Sequence, residues 1–396
     1  MVLPIRKVHC VSVAVSNRDR LSASAWQSAV PGRQGRWCAM KVTFVLPGGS
    51  RLPGGGTRMV FRYANALAFD GWTVSVVMPS DAGGGSSRQR VMRQGRYWLW
   101  LFTHGFSPNR WLVLHPGVQL RWVSDLGPRR APMADAVIAT AVRTAEAVAT
   151  WPASAGRKFY FVQGYETWDF LAERVERSWR LPLRKLAVSR WLCDLIAAAG
   201  GSAVHLPNGP DHEAFGLDRP VEARRDPVIL WPHHPLPQKG SADVLAAATA
   251  LAAVVPALQL HAYGIGPGPR TGSLRVSYAR NPSQAALRAL YNQTTVMVAP
   301  SHSEGWGLPA CEALQCGCAL AASDVGGHRE FLQHDRNALL HAPGDVAALR
   351  GNICRLLTDE PLRLRLAGQG LADMAELRFE SALDRLKLIL QEEQPA

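Results

Sequence analysis

The strongest constraint on this chain is a rhythm. Short runs of wholly apolar residues, each bounded by turn residues, recur between stretches of helical spacing. From Met40 onward, residues 42–46 make one such run, residues 48–56 a glycine-rich loop, residues 57–69 a helix stopped by Asp70-Gly71, and residues 73–78 a second run. Runs this uniformly apolar need cover on both faces, which a parallel sheet flanked by helices supplies. The opening is therefore read as a βαβ unit. Further strands are expected at residues 136–139, 158–162 and 186–188. Residues 79–90, with a Gly-Gly-Gly-Ser-Ser centre, are expected to form a mobile loop.

A second series starts after a polar, proline-bearing stretch at residues 208–227, whose composition suits an interdomain connection. Strands are expected at residues 228–231, 258–263, 274–278, 296–299 and 319–322, with helices at 242–254, 284–292 and 310–316. The expected fold is α/β: two doubly wound Rossmann-like domains, residues 40–209 and 228–375, joined by residues 210–227 and facing each other across a cleft. Open sheets of this kind bind ligands beyond the carboxyl ends of their strands. Residues 376–396 carry a leucine-bearing helix, placed at 381–391, expected to pack back over the first domain.

With 396 residues the chain has room for two such domains, and 47% hydrophobic against 19% charged residues is ordinary for a globular protein. Its net charge of +13 favours phosphorylated ligands, anionic lipid surfaces or nucleic acid. Nucleic acid is not expected, because there is neither zinc-finger spacing nor a basic region joined to heptads. Arg174, Arg177, Arg180, Arg184 and Lys185 recur at near-helical spacing, either a solvated face or a stripe able to lean on an anionic membrane. Cys10, Cys38, Cys193, Cys311, Cys316, Cys318 and Cys354 are odd in number and lack a framework spacing, which suits a reducing cytoplasm without disulfides. No Cys-x-x-Cys pair accompanies them, so no metal site is expected. No run of about 20 apolar residues offers a membrane span. Residues 1–39 hold six Arg or Lys against the single acid Asp19 and look peripheral to the fold. A start at Met40 is favoured over a transit peptide.

Two segments carry chemistry. Gly54-Gly55-Gly56-Thr57 precedes a helix, so bare backbone N–H groups and the helix dipole suit an anion, although a tight strand-to-helix turn reads equally well. In Pro300-Ser301-His302-Ser303-Glu304-Gly305-Trp306-Gly307-Leu308-Pro309-Ala310-Cys311-Glu312-Ala313, two carboxylates eight apart bracket a glycine-containing loop and a helix start near Pro309. One acid then sits in the loop and the other inside the helix. Both can accept hydrogen bonds from hydroxyls of one ligand. Taken alone, the pair also reads as acids placed favourably near a helix N-terminus. Gln163, Tyr165 and Glu166 follow an apolar strand and are candidate acceptor-side contacts, with helix capping an alternative for Glu166. His104 and His115 are weaker polar candidates.

From about Met40 to the end, the chain resembles the retaining glycosyltransferases of family 4. The matching pieces are the first glycine-rich loop, Ala187-Val188-Ser189, Pro207-Asn208-Gly209, Gln238-Lys239-Gly240, the Glu304 to Glu312 segment, and Ser323-Asp324-Val325-Gly326-Gly327 followed by Glu330. Val137-Ile138-Ala139-Thr140 and the segment from Tyr160 to Glu166 are similar to a branch holding rhamnosyltransferases and other polysaccharide-building enzymes. The resemblance implies the GT-B fold. It also implies transfer of a hexosyl or deoxyhexosyl group from a nucleoside-diphosphate sugar to a hydroxyl of a glycan, lipid-linked or small-molecule acceptor, with no cofactor or metal. Glu304 would contact the donor sugar and Glu312 the ribose, while Lys239 would meet the diphosphate. Gly305, Trp306, Gly307, Leu308, Gly55 and Gly56 would complete the donor site. Such an enzyme would work in the cytoplasm or against the inner face of the membrane.

One departure stands out. The family usually has an arginine about five residues before the lysine, and here Trp231-Pro232-His233-His234-Pro235 fills that stretch, leaving His234 as the substitute. A neutral imidazole brings a hydrogen bond but less charge than a guanidinium. The rival readings are a nucleotide-sugar epimerase of the same fold and a catalytically silent nucleotide-sugar-binding subunit.

Overall fold

The computed structural model describes residues 38–48, 54–79, 112–130, 132–255 and 257–392, with isolated positions between 80 and 111. Its frame is a pair of parallel sheets. The first holds β1 (Lys41–Val45), β2 (Thr73–Pro79), β3 (Val118–Val123), β4 (Ala136–Ala139), β5 (Arg157–Val162), β6 (Arg184–Ala187) and β7 (Ala203–His205), in the order β3-β2-β1-β4-β5-β6-β7. The second holds β8 (Val228–Pro232), β9 (Gln259–Gly264), β10 (Val276–Arg280), β11 (Val296–Ala299), β12 (Ala319–Ser323) and β13 (Leu339–His341), in the order β10-β9-β8-β11-β12-β13. Every residue of β4, β11 and β12 is buried, as their unbroken apolar character requires. Each sheet winds outward in both directions from one internal seam, between β1 and β4 in the first and between β8 and β11 in the second. The loops leaving these strands diverge, and a crevice opens at their carboxyl ends.

The described helices are α1 (Gly55–Phe69), α2 (Val142–Ala149), α3 (Ala172–Ser178), α4 (Arg190–Ala198), α5 (Ser241–Ala252), α6 (Gln284–Gln293), α7 (Leu308–Gln315), α8 (Val346–Thr358), α9 (Glu360–Glu376) and α10 (Phe379–Gln391). In α1, Met59, Val60, Tyr63, Ala64 and Leu67 share the buried face by helical spacing, and Gly71, at φ 84°, turns the chain into β2. One apolar core runs from the first sheet through α10 to the α6–α7 side of the second sheet. A second core fills the other side, under α5, α8 and α9. None of the described helices is long and apolar enough to cross a membrane.

The chain crosses between the domains twice, and the crossings touch. A Cβ at Gly209 would lie 2.2 Å from Phe379 Cα. Arg62, on α1, donates to Gly209 O and Pro210 O at 2.8 Å each and lays its guanidinium 3.9 Å from the Phe379 ring centroid. After the second crossing, α10 lies on the first domain. Its fully buried Lys387 pairs with Asp70, while Arg157 and Arg184 bond to the helix end.

Several sequence expectations shift. The C-terminal helix starts at Phe379 rather than 381, and α1 starts at Gly55 rather than 57. β6 lies earlier than expected because Lys185 sends its ammonium back to Leu181 O (2.7 Å), which lets a charged residue sit inside a strand. The basic stripe does not form. α3 ends at Ser178 before the buried Trp179, so Arg180, Arg184 and Lys185 lie outside it, and Arg174 is taken up by Glu146 at 2.7 Å. Residues 1–37, His104 and most of the 79–90 loop lie outside the described residues.

Candidate active site between the two sheets

Four loops meet at the crevice. From the first domain come Gly54–Gly56, after β1, and Gln163, after β5. From the second come residues 233–240, after β8, and residues 300–307, after β11. Contact is close enough to demand glycine: a Cβ at Gly305 would fall 2.0 Å from Gln163 O. One at Gly56 would meet the Gln163 amide at 3.2 Å, and one at Gly55 would meet Leu308 at 3.4 Å. Gln163 is thus wedged between the two domains.

Lys239 and Glu304 are brought together by the two loops at the seam of the second sheet. Pro237–Lys239 is a single 3-10 turn closed by Gly240 at φ 68°, where a Cβ would lie 2.1 Å from Pro300 O. That close approach sets Lys239 Nζ 2.7 Å from Glu304 Oε1, which also accepts from Ser301 Oγ at 2.7 Å. Gly327 N donates to Glu304 O at 3.0 Å and fixes the loop from behind. Burial opposes ionisation of Glu304, but the Lys239 charge and hydrogen bond, with His328 and Ser301, outweigh it and hold the carboxyl below its usual range. The pair is therefore ionic at neutral pH.

Glu312 lies inside α7, with its side chain 6% exposed. Its carboxylate is 3.0 Å from Arg58 of the facing α1 and accepts from Tyr291 OH at 3.2 Å. Burial raises its pKa, and Arg58 pulls the other way. Arg58 was not legible as a site residue, although an arginine in the first turn after a glycine loop was a usable signal. His234 Nδ1 accepts from Leu236 N (3.1 Å), which leaves the ring proton on Nε2. Burial, then Lys239 and His233, lower its pKa.

Other candidates turn away from the crevice. Trp306 is buried, donates from Nε1 to Cys311 Sγ at 3.2 Å and rests against Phe331, so only its backbone serves the loop. Gly307, at φ 102°, makes the turn into α7. Tyr165 donates to Glu176 at 2.8 Å and packs on Trp179. Glu166 accepts from Val142 N, at 3.1 Å, and from Tyr160 OH, at 3.4 Å. It caps α2, and burial pushes its pKa up to about 7. Of the three acceptor-side candidates, Gln163 alone reaches the crevice; the side chains of Tyr165 and Glu166 are engaged within the first domain. His115 accepts from Gly117 N. His328, inside the matched segment that follows Ser323, went unread as a site residue.

Residues 218–371 match the family model described as Glycosyl transferases group 1. The D-inositol 3-phosphate glycosyltransferase of Thermomonospora curvata is 36% identical over 107 residues, which is 26% of this chain and 24% of that protein. The chain thus matches about a quarter of that relative's length. Among solved structures, the sucrose-phosphate synthase from Thermosynechococcus elongatus superposes with a TM-score of 0.66 at 16% identity, over 88% of this chain and 98% of that one. The Anabaena HepE protein in complex with UDP-glucose gives 0.68 at 17%, over 89% and 99%. The fold is therefore that of the GT-B glycosyltransferases, and residues 218–371, in its second half, are similar to the glycosyl transferases group 1.

Proposed function

We propose that this protein is a retaining glycosyltransferase of family 4. It moves a hexosyl or deoxyhexosyl group from a nucleoside-diphosphate sugar to an acceptor hydroxyl in glycan, lipid-linked saccharide or natural-product synthesis. The observation that carries this reading is the Lys239–Glu304 pair, 2.7 Å apart at the seam of the second sheet. As the glycosidic bond breaks, the departing nucleoside diphosphate gains negative charge. Lys239 and the N–H groups opening α7 meet that charge where it develops. Glu304, ionised and held by Ser301, accepts hydrogen bonds from sugar hydroxyls and favours the positive charge that grows at the anomeric carbon. The net charge of +13 suits a phosphorylated ligand such as this donor.

The test is product analysis. With donor and acceptor together, the expected products are a glycoside that keeps the donor's anomeric configuration, read by proton NMR, and free nucleoside diphosphate. Glu304→Ala should abolish both. Conversion of donor alone into an isomeric nucleotide sugar would establish an epimerase instead.

A further inference from the structure

The second domain presents two histidines to this site in opposite tautomers. His234 accepts a backbone N–H at Nδ1, so a second proton there would break that bond. His328 has the reverse arrangement: Nδ1 lies 2.8 Å from Ser323 O, a pure acceptor, so Nδ1 carries the proton. Its Nε2 has no hydrogen-bond partner among the described residues and can take a proton without losing any bond. That edge of the ring is turned to Gly307, at the start of α7; a Cβ on Gly307 would lie 2.7 Å from Nε2.

The charges around His328 leave a deficit. Lys239 and Glu304 cancel each other at 2.7 Å. Asp324 is taken up by Arg329 at 2.7 Å, and the neighbouring His341 is held by burial at about 4, hence neutral. No guanidinium stands before Lys239. A diphosphate arriving here therefore meets no net positive charge from these side chains.

We propose that His328 takes up a proton at Nε2 when a nucleoside-diphosphate sugar binds, and so supplies the cation that the sequence lacks before Lys239. The proton comes from solvent, and the imidazolium then donates to the diphosphate. In the free protein burial keeps His328 neutral, with its pKa below the usual histidine value. A dianion beside the ring reverses that preference. Between the free and bound pKa values, each donor bound carries up to one proton with it. Donor affinity then falls by as much as tenfold per pH unit as pH rises through this window.

This inference rests on the donor reading of the crevice, and its test separates the two. Titration calorimetry with UDP-glucose and GDP-mannose, whose diphosphate diesters do not titrate near neutrality, is run at pH 7 in PIPES, imidazole and Tris. The dependence of the heat on the buffer's ionisation enthalpy gives the protons taken up. The expected result is an uptake approaching one per donor in the wild type. His328→Asn, whose amide keeps the bond to Ser323 O, should lose the uptake, with a dissociation constant about tenfold higher at pH 6 and flat to pH 8. His234→Asn and Glu304→Gln should keep the uptake in whatever binding they retain. Wild-type binding without proton uptake overturns the role of His328 whatever the variants do, as does uptake that persists in His328→Asn. Failure of the wild type to bind these and every other uridine, guanosine and thymidine diphosphate sugar overturns the donor reading and, with it, this inference.

Discussion

At the scale of the residue, ionic partners decide what each carboxylate can do. Glu304 stays ionised because Lys239 is 2.7 Å away. Lys239→Met removes the charge that meets the leaving group and also lets burial raise the Glu304 pKa. A fall in kcat of about 10²- to 10³-fold is expected, with little change in unfolding temperature. Steady-state kinetics beside calorimetry would check this, and an equal loss in both would point to misfolding. Glu166 shows the opposite balance, with burial outweighing its bonds to Val142 and Tyr160 and carrying its pKa to about 7. A carboxyl raised on folding stabilises the folded state below its unfolded value and loses that contribution as pH climbs through the folded one. Wild-type stability should therefore fall between about pH 4.5 and 7, by on the order of 3 kcal/mol from this group. Glu166→Gln should flatten that part of the profile in urea melts at stepped pH. Glu304 and Glu312 stand out as two acids eight apart around a glycine loop, but their roles, and Lys239 altogether, come from the resemblance to family 4 glycosyltransferases and not from spacing. Arg58 was passed over although it stands in the first turn after a glycine loop, and His328 acquires its meaning only from partners brought close by folding.

At the scale of the element, backbone contacts explain the glycines. Gly209 presses on Phe379 where the two crossings of the chain meet, and a Cβ there would be 2.2 Å from Phe379 Cα. Gly266 has nothing within 4 Å of a built Cβ. Gly209→Ala should lower stability by about 3 kcal/mol or more, whereas Gly266→Ala should stay within about 0.5 kcal/mol in the same denaturant titration. The strands that the sequence made plain, β1, β4, β8, β11 and β12, are central and covered on both faces. β3 and β10 were missed or misplaced because they are edge strands with half-exposed faces, where Arg121 and Arg280 dilute the apolar signal. The helices α8 and α9 lay beyond the motifs and were left unread, although Leu349, Ile353 and Leu356 have ordinary helical spacing.

At the scale of the whole molecule, the contacts that hold the two halves in register include the shared core, the Arg62 grip on the crossings, the Arg58–Glu312 pair, and Glu330, which accepts from Arg190 N and lies 3.1 Å from His205 Nε2. Arg58→Ala leaves a carboxylate buried without its cation and should cost about 3 kcal/mol. Adding Glu312→Ala should recover part of that loss, a coupling measurable as a double-mutant cycle in urea. The two-domain order was legible from the alternation of runs and the polar stretch after residue 208. How the halves meet was not, because Gly305 against Gln163 and Gly209 against Phe379 are pairings far apart in the chain. That the Lys239–Glu304 loops hold a nucleoside-diphosphate sugar is read out by thermal unfolding with a panel of uridine, guanosine and thymidine diphosphate sugars. A donor at 100 times its dissociation constant should stabilise the wild type by about 2.7 kcal/mol, and Lys239→Ala should lose most of that gain. A wild type indifferent to every sugar nucleotide, or a Lys239→Ala protein that responds as fully as the wild type, would contradict it.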